Sequence, residues 1–321
     1  MPPKILLSRL WPDGVVRALA ERFDVTVDPQ DRPLAPAELA DAMRTFDALC
    51  PTVSDRISAD IIGMPDRKVQ ILANYGAGID HIDVAAAKAA GLAVTNTPDV
   101  LTEATAELAI LLMVMVARRA GEGERQLRAG EWTGWRPTHL MGRSLNGGKL
   151  GLVGFGRIAQ LTALMAKRMF AMEIAYHARQ PRELTSELQG AVFVLDLDQL
   201  LATSDVISFH CPGGAETHHL LDRRRLALLK RGSIVINTAR GSVIDEEALA
   251  EALSANRIAG AGLDVYEDEP RVSPALLQCE HTVLLPHLGS ATLETRTAMG
   301  MTVLANLDAF FNGRPLPNHV A

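Results

Sequence analysis

A glycine-rich segment in the middle of the chain has residue types and spacing that suit the binding of a diphosphate. Residues 149–159 read KLGLVGFGRIA, an apolar stretch that runs into the pattern G-x-G-x-x-A. Gly154 allows a tight turn, Gly156 lets the main chain approach a pyrophosphate, and Ala159 is small enough for a helix to pack closely on the strand. The N–H groups at the start of such a helix favour an anion. The pattern therefore predicts a dinucleotide site that includes Gly154, Phe155, Gly156, Arg157 and Ile158.

The following strand lacks the acidic residue that usually binds the ribose 2′-hydroxyl of NAD at the strand's carboxyl end. Residues 177–182 read HARQPR there, and Glu173 lies at the opposite end of the strand. Arg179 and Arg182 would supply charge-assisted donors for a 2′-phosphate, although both could simply be solvated surface side chains. We therefore expect a preference for NADP(H), with NAD(H) as the alternative cofactor, and contacts from Ala178, Arg179, Gln180 and Arg182.

Three later segments have polar residues directly after apolar strands. They are residues 237–241 (NTARG), 263–270 (LDVYEDEP) and 286–291 (PHLGSA). Together they contain an arginine, several acidic residues and a histidine. Because ligands bind outside the carboxyl ends of the strands in such sheets, we expect these side chains to gather on the ligand side of the nucleotide-binding domain.

Two successive patterns of alternating strands and helices must position these residues. The first pattern predicts strands at 5–7, 48–50, 69–73 and 92–95 with helices at 14–22, 57–63 and 82–90. Residues 96–99 end it, and a long helix is expected from about Thr102. After the polar stretch 121–148, the second pattern predicts strands at 150–153, 173–176, 192–195, 206–209, 233–236, 260–264 and 283–285, with helices at 157–169 and 245–254. This alternation indicates parallel sheets covered by helices.

The predicted fold class is therefore α/β, with two doubly wound, Rossmann-like domains and the active site in the cleft between them. The last helix, expected over 292–311, has no strand after it, so we expect it to pack on the first domain. The predicted division is a discontinuous, flavodoxin-like substrate domain of residues 1–98 plus 289–321, and a dinucleotide-binding Rossmann domain of residues 99–288.

Composition and charge argue against several other classes of protein. The chain has 321 residues, 48% of them hydrophobic, and a net charge of −6, which provides no basic field for nucleic acid. The longest apolar stretch, 108–117, is about half the length of a membrane span. The apolar run near the N-terminus is too short for a signal peptide, so we expect a cytoplasmic protein.

Cysteine and histidine spacing predicts no metal site. Cys50, Cys211 and Cys279 form no C-x-x-C pair and are expected to be free thiols. His218 and His219 have no carboxylate or cysteine partner at ligand spacing nearby in the sequence. No Ser-His-Asp arrangement indicative of a hydrolase is evident.

Taken in order, several segments resemble the D-isomer-specific 2-hydroxyacid dehydrogenases over nearly the whole chain. They are residues 74–83 (NYGAGIDHID), 106–108 (AEL), 154–158 (GFGRI), 237–241 (NTARG), 262–265 (GLDV), 269–270 (EP) and 286–291 (PHLGSA). Within the family, residues 97–102, 132–135 and 179–182 are most similar to glyoxylate/hydroxypyruvate reductases. The resemblance implies hydride transfer between a nicotinamide dinucleotide and a small 2-oxo acid such as glyoxylate or hydroxypyruvate.

The resemblance also implies a catalytic role for three residues. Arg240 would bind the substrate carboxylate and polarise the carbonyl oxygen. His287 would act as general acid in reduction and general base in oxidation, since an unperturbed histidine titrates at about pH 6.5. Glu269 would orient the imidazole and favour its protonated form, with Glu267 and Asp268 as alternatives for that role.

Further binding residues follow from the same resemblance. The substrate loop contains Tyr75, and the N–H groups of Ala77 and Gly78 would bind the substrate carboxylate. Asp264 would lie near the nicotinamide carboxamide. The remaining expected cofactor contacts are Cys211, Pro212, Thr238, Ala239 and Gly289.

The expected assembly is a homodimer. The apolar helix around 104–117 and the stretch 132–135, with Trp132 and Trp135, resemble the family's dimer-forming region, although both tryptophans could instead pack locally. The alternative functions are another D-2-hydroxyacid dehydrogenase of the D-lactate, phosphoglycerate or formate type, or a non-catalytic, corepressor-like protein that senses the cofactor.

Overall fold

The computed structural model describes residues 1–321 and divides them into two compact domains. The first domain comprises Met1–Leu101 and Ser290–Ala321, and the second comprises Thr102–Gly289. Each domain is built on an all-parallel sheet with helices on both faces, so the predicted α/β class with two parallel-sheet domains is confirmed. None of the helices has the length and apolar character needed to cross a lipid bilayer.

The first domain has a five-stranded parallel sheet in the order β2-β1-β3-β4-β5. Its strands are β1 (Lys4–Leu7), β2 (Asp24–Val27), β3 (Ala48–Cys50), β4 (Ile71–Ala73) and β5 (Ala93–Thr95). Its helices are α1 (Asp13–Ala20), α2 (Pro36–Thr45), α3 (Ala59–Ile62), α4 (Val84–Ala89) and α12 (Leu293–Phe311). The order is the flavodoxin-like one, in which ligands bind at the carboxyl ends of the strands.

The core of the first domain lies on both faces of this sheet. On one face, side chains of α1 and α12 pack against β1, β3 and β4. On the other face, the packed helices are α2, α3 and α4. Helix α12 crosses α1 so closely that a Cβ on Gly300 would lie 2.5 Å from Cγ1 of Val15. The final helix therefore belongs to the first domain, as its lack of a following strand predicted.

The second domain has a seven-stranded parallel sheet in the order β12-β11-β10-β9-β6-β7-β8. Its strands are β6 (Lys149–Val153), β7 (Glu173–His177), β8 (Val192–Phe193), β9 (Val206–Phe209), β10 (Ile234–Asn237), β11 (Gly260–Leu263) and β12 (Thr282–Leu284). Its helices are α5 (Thr102–Ala117), α6 (Ala120–Arg128), α7 (Arg157–Phe170), α8 (Leu197–Thr203), α9 (Arg223–Leu226), α10 (Glu246–Ser254) and α11 (Pro274–Leu277). The strand order reverses at β6, and such a switch point is where doubly wound sheets bind ligands.

Several elements were absent from the expectations, for identifiable physical reasons. β2 is an edge strand whose DVTV sequence alternates exposed and half-buried residues, and it offers no continuous apolar run. α6 buries no residue, and its sequence AGEGERQLR has too few apolar residues to stand out as a core-packed helix. The sequence does carry a start signal for α2, which the prediction missed. Pro36 is its first residue, and the side chain of Glu38 accepts from the N–H of Ala35.

No strand follows α12, as expected, but the last residues of the chain still pair with the first sheet. The N–H of Val94 donates to the carbonyl of Ala321 at 2.7 Å, and Thr95 forms an antiparallel bridge with His319. The last residues thus pair with the edge strand β5, a long-range contact that no local pattern indicates.

Candidate active site

The glycine-rich turn has the main-chain conformation that its sequence predicts. Gly154 has a φ of +86°, and a Cβ there would lie 2.7 Å from the main-chain nitrogen of Cys211, so only glycine fits. At Gly156 a Cβ would meet nothing within 4 Å, which leaves open space beside the turn.

The first turn of α7 has main-chain donors without intrahelical acceptors. Its first intrahelical bond runs from the N–H of Gln160 to Gly156, so the N–H groups of Ile158 and Ala159 have no acceptor within the helix. Ala159 is fully buried against the core, as close helix packing requires. The turn therefore suits a pyrophosphate.

The loop after β7 lies beside this turn, because His177 pairs with Val153 in the sheet. Ala178 is nearly buried, and Arg179, Gln180 and Arg182 are exposed. Glu173 begins the strand, at the far end from the turn. The region at the turn thus has two arginines and no carboxylate among residues 177–182.

Two buried polar atoms after neighbouring strands lack a hydrogen-bond partner. Oγ1 of Thr238 follows β10, and Nδ1 of His210 follows β9. His210 accepts or donates at Nε2 with the hydroxyl of Ser208, and burial lowers its pKa to about 4, which keeps the ring neutral. Unsatisfied polar groups at the carboxyl edge of a sheet are consistent with a site that a bound ligand completes.

Cys211 and Pro212 also lie at this edge, in the loop after β9. Burial raises the pKa of the Cys211 thiol to about 11, so the thiol stays protonated and serves as a packing group. Its main chain closes on Gly154, and the carbonyl of Pro212 accepts from the hydroxyl of Thr217.

The predicted catalytic residues come together in the second domain. Nδ1 of His287 lies 2.8 Å from Oε2 of Glu269, and about a third of each side chain is exposed. Arg240 lies close enough for its charge to lower the pKa of Glu269. The strands that precede the three loops, β10, β11 and β12, are neighbours in the sheet. An arginine, a carboxylate and an imidazole are therefore grouped at one edge.

The environment of Glu269 keeps its carboxyl group ionised. Burial raises its pKa, but the hydrogen bond and charge of His287, the N–H of Tyr266 and the charge of Arg240 together lower the pKa below its usual value. The N–H of Tyr266 donates to Oε1 at 3.0 Å. Glu269 is therefore the acidic residue that bonds the imidazole, whereas Glu267 points to His219 and Asp268 pairs with Arg271.

Close packing of two loops places Arg240 beside Glu269. A Cβ on Gly241 would lie 1.8 Å from the carbonyl carbon of Tyr266, so the main chains touch at this point. Asn237 supports the turn, since its side-chain amide donates to the carbonyl of Arg240 and its oxygen accepts from the N–H of Ala239. The glycine in NTARG is thus required by a tertiary contact.

Asp264 has a structural role that the sequence did not reveal. Its fully buried carboxylate accepts from the N–H of Leu288 at 2.6 Å and of Gly289 at 2.8 Å, and its carbonyl accepts from the N–H of His287. Burial raises its pKa, which the two N–H bonds and the charge of His287 oppose. Asp264 therefore holds the loop that carries the histidine.

The predicted substrate loop lies in the first domain, after β4, and is organised by a residue that was not singled out. The buried side chain of Asn74 donates through its amide nitrogen to the carbonyls of Gly76 and Gly78, and its Oδ1 accepts from Nε2 of His81. Asn96 donates to the carbonyl of Ala77. With the carbonyls bound inward, the N–H groups of Ala77 and Gly78 donate to no acceptor within the domain.

Tyr75 is buried under this loop. Its ring packs against Trp11 with centroids 4.3 Å apart, and its hydroxyl donates to the carbonyl of Arg296 at 2.6 Å. Burial raises its pKa to about 12, partly opposed by the charge of Arg296. Within the first domain, Tyr75 thus acts as a packing residue that anchors the loop to α12.

Comparison with known proteins agrees with these features. Residues 110–289 match the family model of the D-isomer specific 2-hydroxyacid dehydrogenase, NAD binding domain. The whole chain is 41% identical to a protein named glyoxylate reductase from Thermococcus litoralis, with 97% of that protein covered.

Solved structures show the same similarity over both domains. A Thermus thermophilus protein is 42% identical with a TM-score of 0.90, and the match covers 99% of this chain and 100% of that one. An NADPH-dependent glyoxylate/hydroxypyruvate reductase from Sinorhizobium meliloti, solved with NADP and malonate, is 36% identical with a TM-score of 0.87, covering 100% and 97% of the two chains. The chain therefore belongs to the D-isomer-specific 2-hydroxyacid dehydrogenases and is an enzyme that uses a pyridine nucleotide.

Proposed function

We propose that this enzyme reduces small 2-oxo acids, glyoxylate and hydroxypyruvate in particular, with NADPH to the corresponding 2-hydroxy acids, which have the D configuration where C2 is a stereocentre. The observation that carries the proposal is the 2.8 Å contact between His287 and Glu269 beside Arg240. Glyoxylate reductases among the relatives support this substrate class.

In the proposed mechanism, the bound nicotinamide supplies the hydride, and the residues of this chain bind and protonate the substrate. Arg240 pairs with the substrate carboxylate and polarises the carbonyl. His287, bonded to Glu269 through Nδ1, has Nε2 left to protonate the carbonyl oxygen. In the oxidative direction the same nitrogen accepts the proton. The N–H groups of Ala77 and Gly78 are proposed to bind the substrate carboxylate.

The cofactor is proposed to bind along the carboxyl edge of the second sheet. Its pyrophosphate would contact residues 154–158, and Thr238, Ala239, Cys211 and Pro212 would line the remainder. Asp264 is fully buried beneath Leu288 and Gly289, so we propose that it acts on the nicotinamide through the loop it holds.

The activity is tested by following NADPH oxidation with glyoxylate, hydroxypyruvate, pyruvate and phosphohydroxypyruvate. We expect turnover with the first two that falls by at least about 10²-fold in Arg240→Ala, since that change removes both the carboxylate partner and the electrophile. Turnover equal to the Arg240→Ala background would instead favour a protein that binds the cofactor without catalysis. A clear preference for pyruvate or for phosphohydroxypyruvate would favour the D-lactate or the phosphoglycerate type of dehydrogenase.

The proposed NADP(H) preference is tested by the ratio of kcat/KM for NADPH and NADH. Arg179 and Arg182 are the only charged groups among residues 177–182 apart from His177, and a 2′-phosphate needs such donors. We expect the double change Arg179→Ala, Arg182→Ala to lower the ratio at least about tenfold, the equivalent of one lost charge-assisted bond. Arg44→Ala, in the first domain, is the control. A wild-type preference for NADH would refute this assignment.

A homodimer is proposed as the working assembly. Between α6 and β6, residues 129–148 form no helix or strand, and they carry Trp132 and Trp135 with 53% and 82% of their surfaces exposed. Leu127 and Met141 beside them are also more than half exposed. Large apolar side chains grouped on one segment are typical of an interface.

A further inference from the structure

A cluster of three side chains in the second domain has the composition of a metal site and takes no part in the proposed reaction. His218 and His219 lie in the loop after β9, and Glu267 lies in the loop after β11. One possible ligand atom from each residue lies within 4.8 Å of the other two. Spacing in the sequence argued against a site here because no carboxylate is nearby. The fold supplies one from 48 residues away.

The distances suit a tetrahedral ion. Oε1 of Glu267 lies 2.7 Å from Nε2 of His219 and 3.9 Å from Nε2 of His218. Ligand bonds of about 2.0–2.1 Å at a tetrahedral angle separate the ligand atoms by about 3.3 Å. The two observed distances lie on either side of that value, so small side-chain rotations bring all three atoms to an ion.

The two imidazole rings meet edge to face. Their centroids are 4.1 Å apart and their planes make an angle of 80°. His219 has a φ of +47°, and its N–H donates to the carbonyl of Ser242. The N–H of Glu267 donates to the buried carboxylate of Glu246 at 2.7 Å. The main chain on both sides of the cluster is therefore anchored.

The ligand atoms are also accessible. The exposed fractions of the side chains are 54% for His218, 36% for His219 and 37% for Glu267. Three protein ligands leave a coordination position for water, and partly exposed side chains let the ion exchange with solvent. Two imidazoles and one carboxylate suit Zn²⁺ and similar transition metals better than Mg²⁺ or Ca²⁺, which prefer oxygen ligands.

We propose that His218, His219 and Glu267 form an exchangeable site for a Zn²⁺-type transition metal ion. The bound ion would link the loop after β9 to the loop after β11. Glu269 lies in the latter loop, two residues after Glu267. Ion binding thus restrains the segment that carries Glu269. This inference does not depend on the identity of the substrate.

Equilibrium dialysis of the EDTA-treated protein against Zn²⁺ tests the proposal. Wild type should bind one more equivalent of Zn²⁺ than His218→Ala or Glu267→Gln. His281→Ala is the matched control, because His281 also contacts a glutamate, Glu122 at 3.4 Å, but has no second histidine. It should bind as much Zn²⁺ as wild type. The other histidines and the cysteines are unchanged in His218→Ala and Glu267→Gln, so their contribution cancels in the comparison with wild type.

Thermal unfolding provides a second readout. An ion that binds only the folded state raises its stability, so Zn²⁺ should raise the Tm of wild type and His281→Ala more than that of His218→Ala. His218→Ala retains the bond between His219 and Glu267, and its Tm without metal shows that it folds. Equal Zn²⁺ stoichiometry and equal Tm shifts in all four proteins would overturn the proposal.

Discussion

His287 is held by two contacts that fix different parts of the residue. Its main-chain N–H donates to the carbonyl of Asp264 at 3.0 Å, and its Nδ1 lies 2.8 Å from Glu269. Because the carboxylate occupies Nδ1, Nε2 is the ring atom left for substrate. The residue also has a φ of +55°, in the left-handed region. The hydrogen bond from the N–H of Leu288 to Asp264 helps to hold the loop in this conformation.

His287→Ala should lower kcat for 2-oxo acid reduction by about 10²- to 10⁴-fold, the usual contribution of general acid–base catalysis. The dissociation constant for NADPH should change little, because the histidine is separate from the glycine-rich turn. Steady-state kinetics and fluorescence titration of the cofactor measure the two effects. Near-normal turnover would remove His287 from the mechanism.

Glu269→Gln tests whether the carboxylate of Glu269 orients the imidazole of His287. The variant keeps the shape of the side chain and loses its charge, so we expect kcat to fall by about 10²- to 10⁴-fold, as when an orienting carboxylate is replaced by an amide in a catalytic triad. A variant with unchanged kcat would contradict the orienting role. An unchanged Tm would show that the fall in kcat does not result from unfolding of the variant.

The same pair gives a pH dependence of known sign. The pKa of Glu269 is lower in the folded protein than in the unfolded chain, so its ionisation stabilises the fold above the unfolded-state pKa of about 4.3. This stabilisation is lost as pH falls through the lower folded-state pKa. Urea unfolding should therefore show a larger stability difference between wild type and Glu269→Gln at pH 5 than below about pH 4. A difference that grows on acidification would contradict it.

At the scale of elements, buried polar side chains hold the loops that carry the site. Asp264 accepts from the histidine loop, and Glu246 accepts from the loop after β11. Asn74 holds the substrate loop in the first domain through both carbonyls it contacts. Each of these residues binds main chain, so each acts on the site through another group.

Asn74→Ala should raise KM for the 2-oxo acid about tenfold and change kcat less. The change leaves the carbonyls of Gly76 and Gly78 without their donor, at a cost of about 1–3 kcal/mol for each buried group, and loosens the loop. Asn318→Ala is the control, since Asn318 bonds Asn306 in the same domain but lies outside the loop. A fall in kcat with unchanged KM would exclude this positioning role.

Sequence patterns located most elements because buried parallel strands are short, continuous apolar runs. β3 was predicted with its observed bounds, and helix α7 to within one residue at its end. β2 and α6 were missed because the edge strand has no continuous apolar run and the solvent-exposed helix has few apolar residues. Prediction from apolar pattern thus succeeds where burial is greatest.

At the scale of the whole molecule, the chain forms two domains, and the first is discontinuous. Residues from both ends of the chain share one core, in which Val303 and Leu307 of α12 pack with Ile5 and Leu7 of β1. The observed boundaries follow Leu101 and Gly289, and the sequence had suggested 98 and 288.

The proposed dimer is tested by light scattering coupled to size exclusion. Wild type should have twice the mass of one chain. Trp132→Ser, Trp135→Ser should shift the population toward monomer, because removing two large apolar groups from an interface costs several kcal/mol. Leu277→Ser is the control, because it removes an exposed apolar side chain elsewhere in the second domain. A monomeric wild type would refute the dimer.

The sequence by itself determined the parallel α/β class and the glycine turn, and its resemblance to a known family singled out Arg240, Glu269 and His287 as candidate catalytic residues. These features depend on local patterns, since a strand, a tight turn and a following helix leave periodic and spaced residues along the chain.

Only the tertiary structure decided which buried groups support them. Asp264 reaches the loop 24 residues later, and Glu246 accepts from the N–H of Glu267, 21 residues later. Such contacts arise when the loops of neighbouring strands converge at one edge of the sheet, and no spacing along the chain records that convergence.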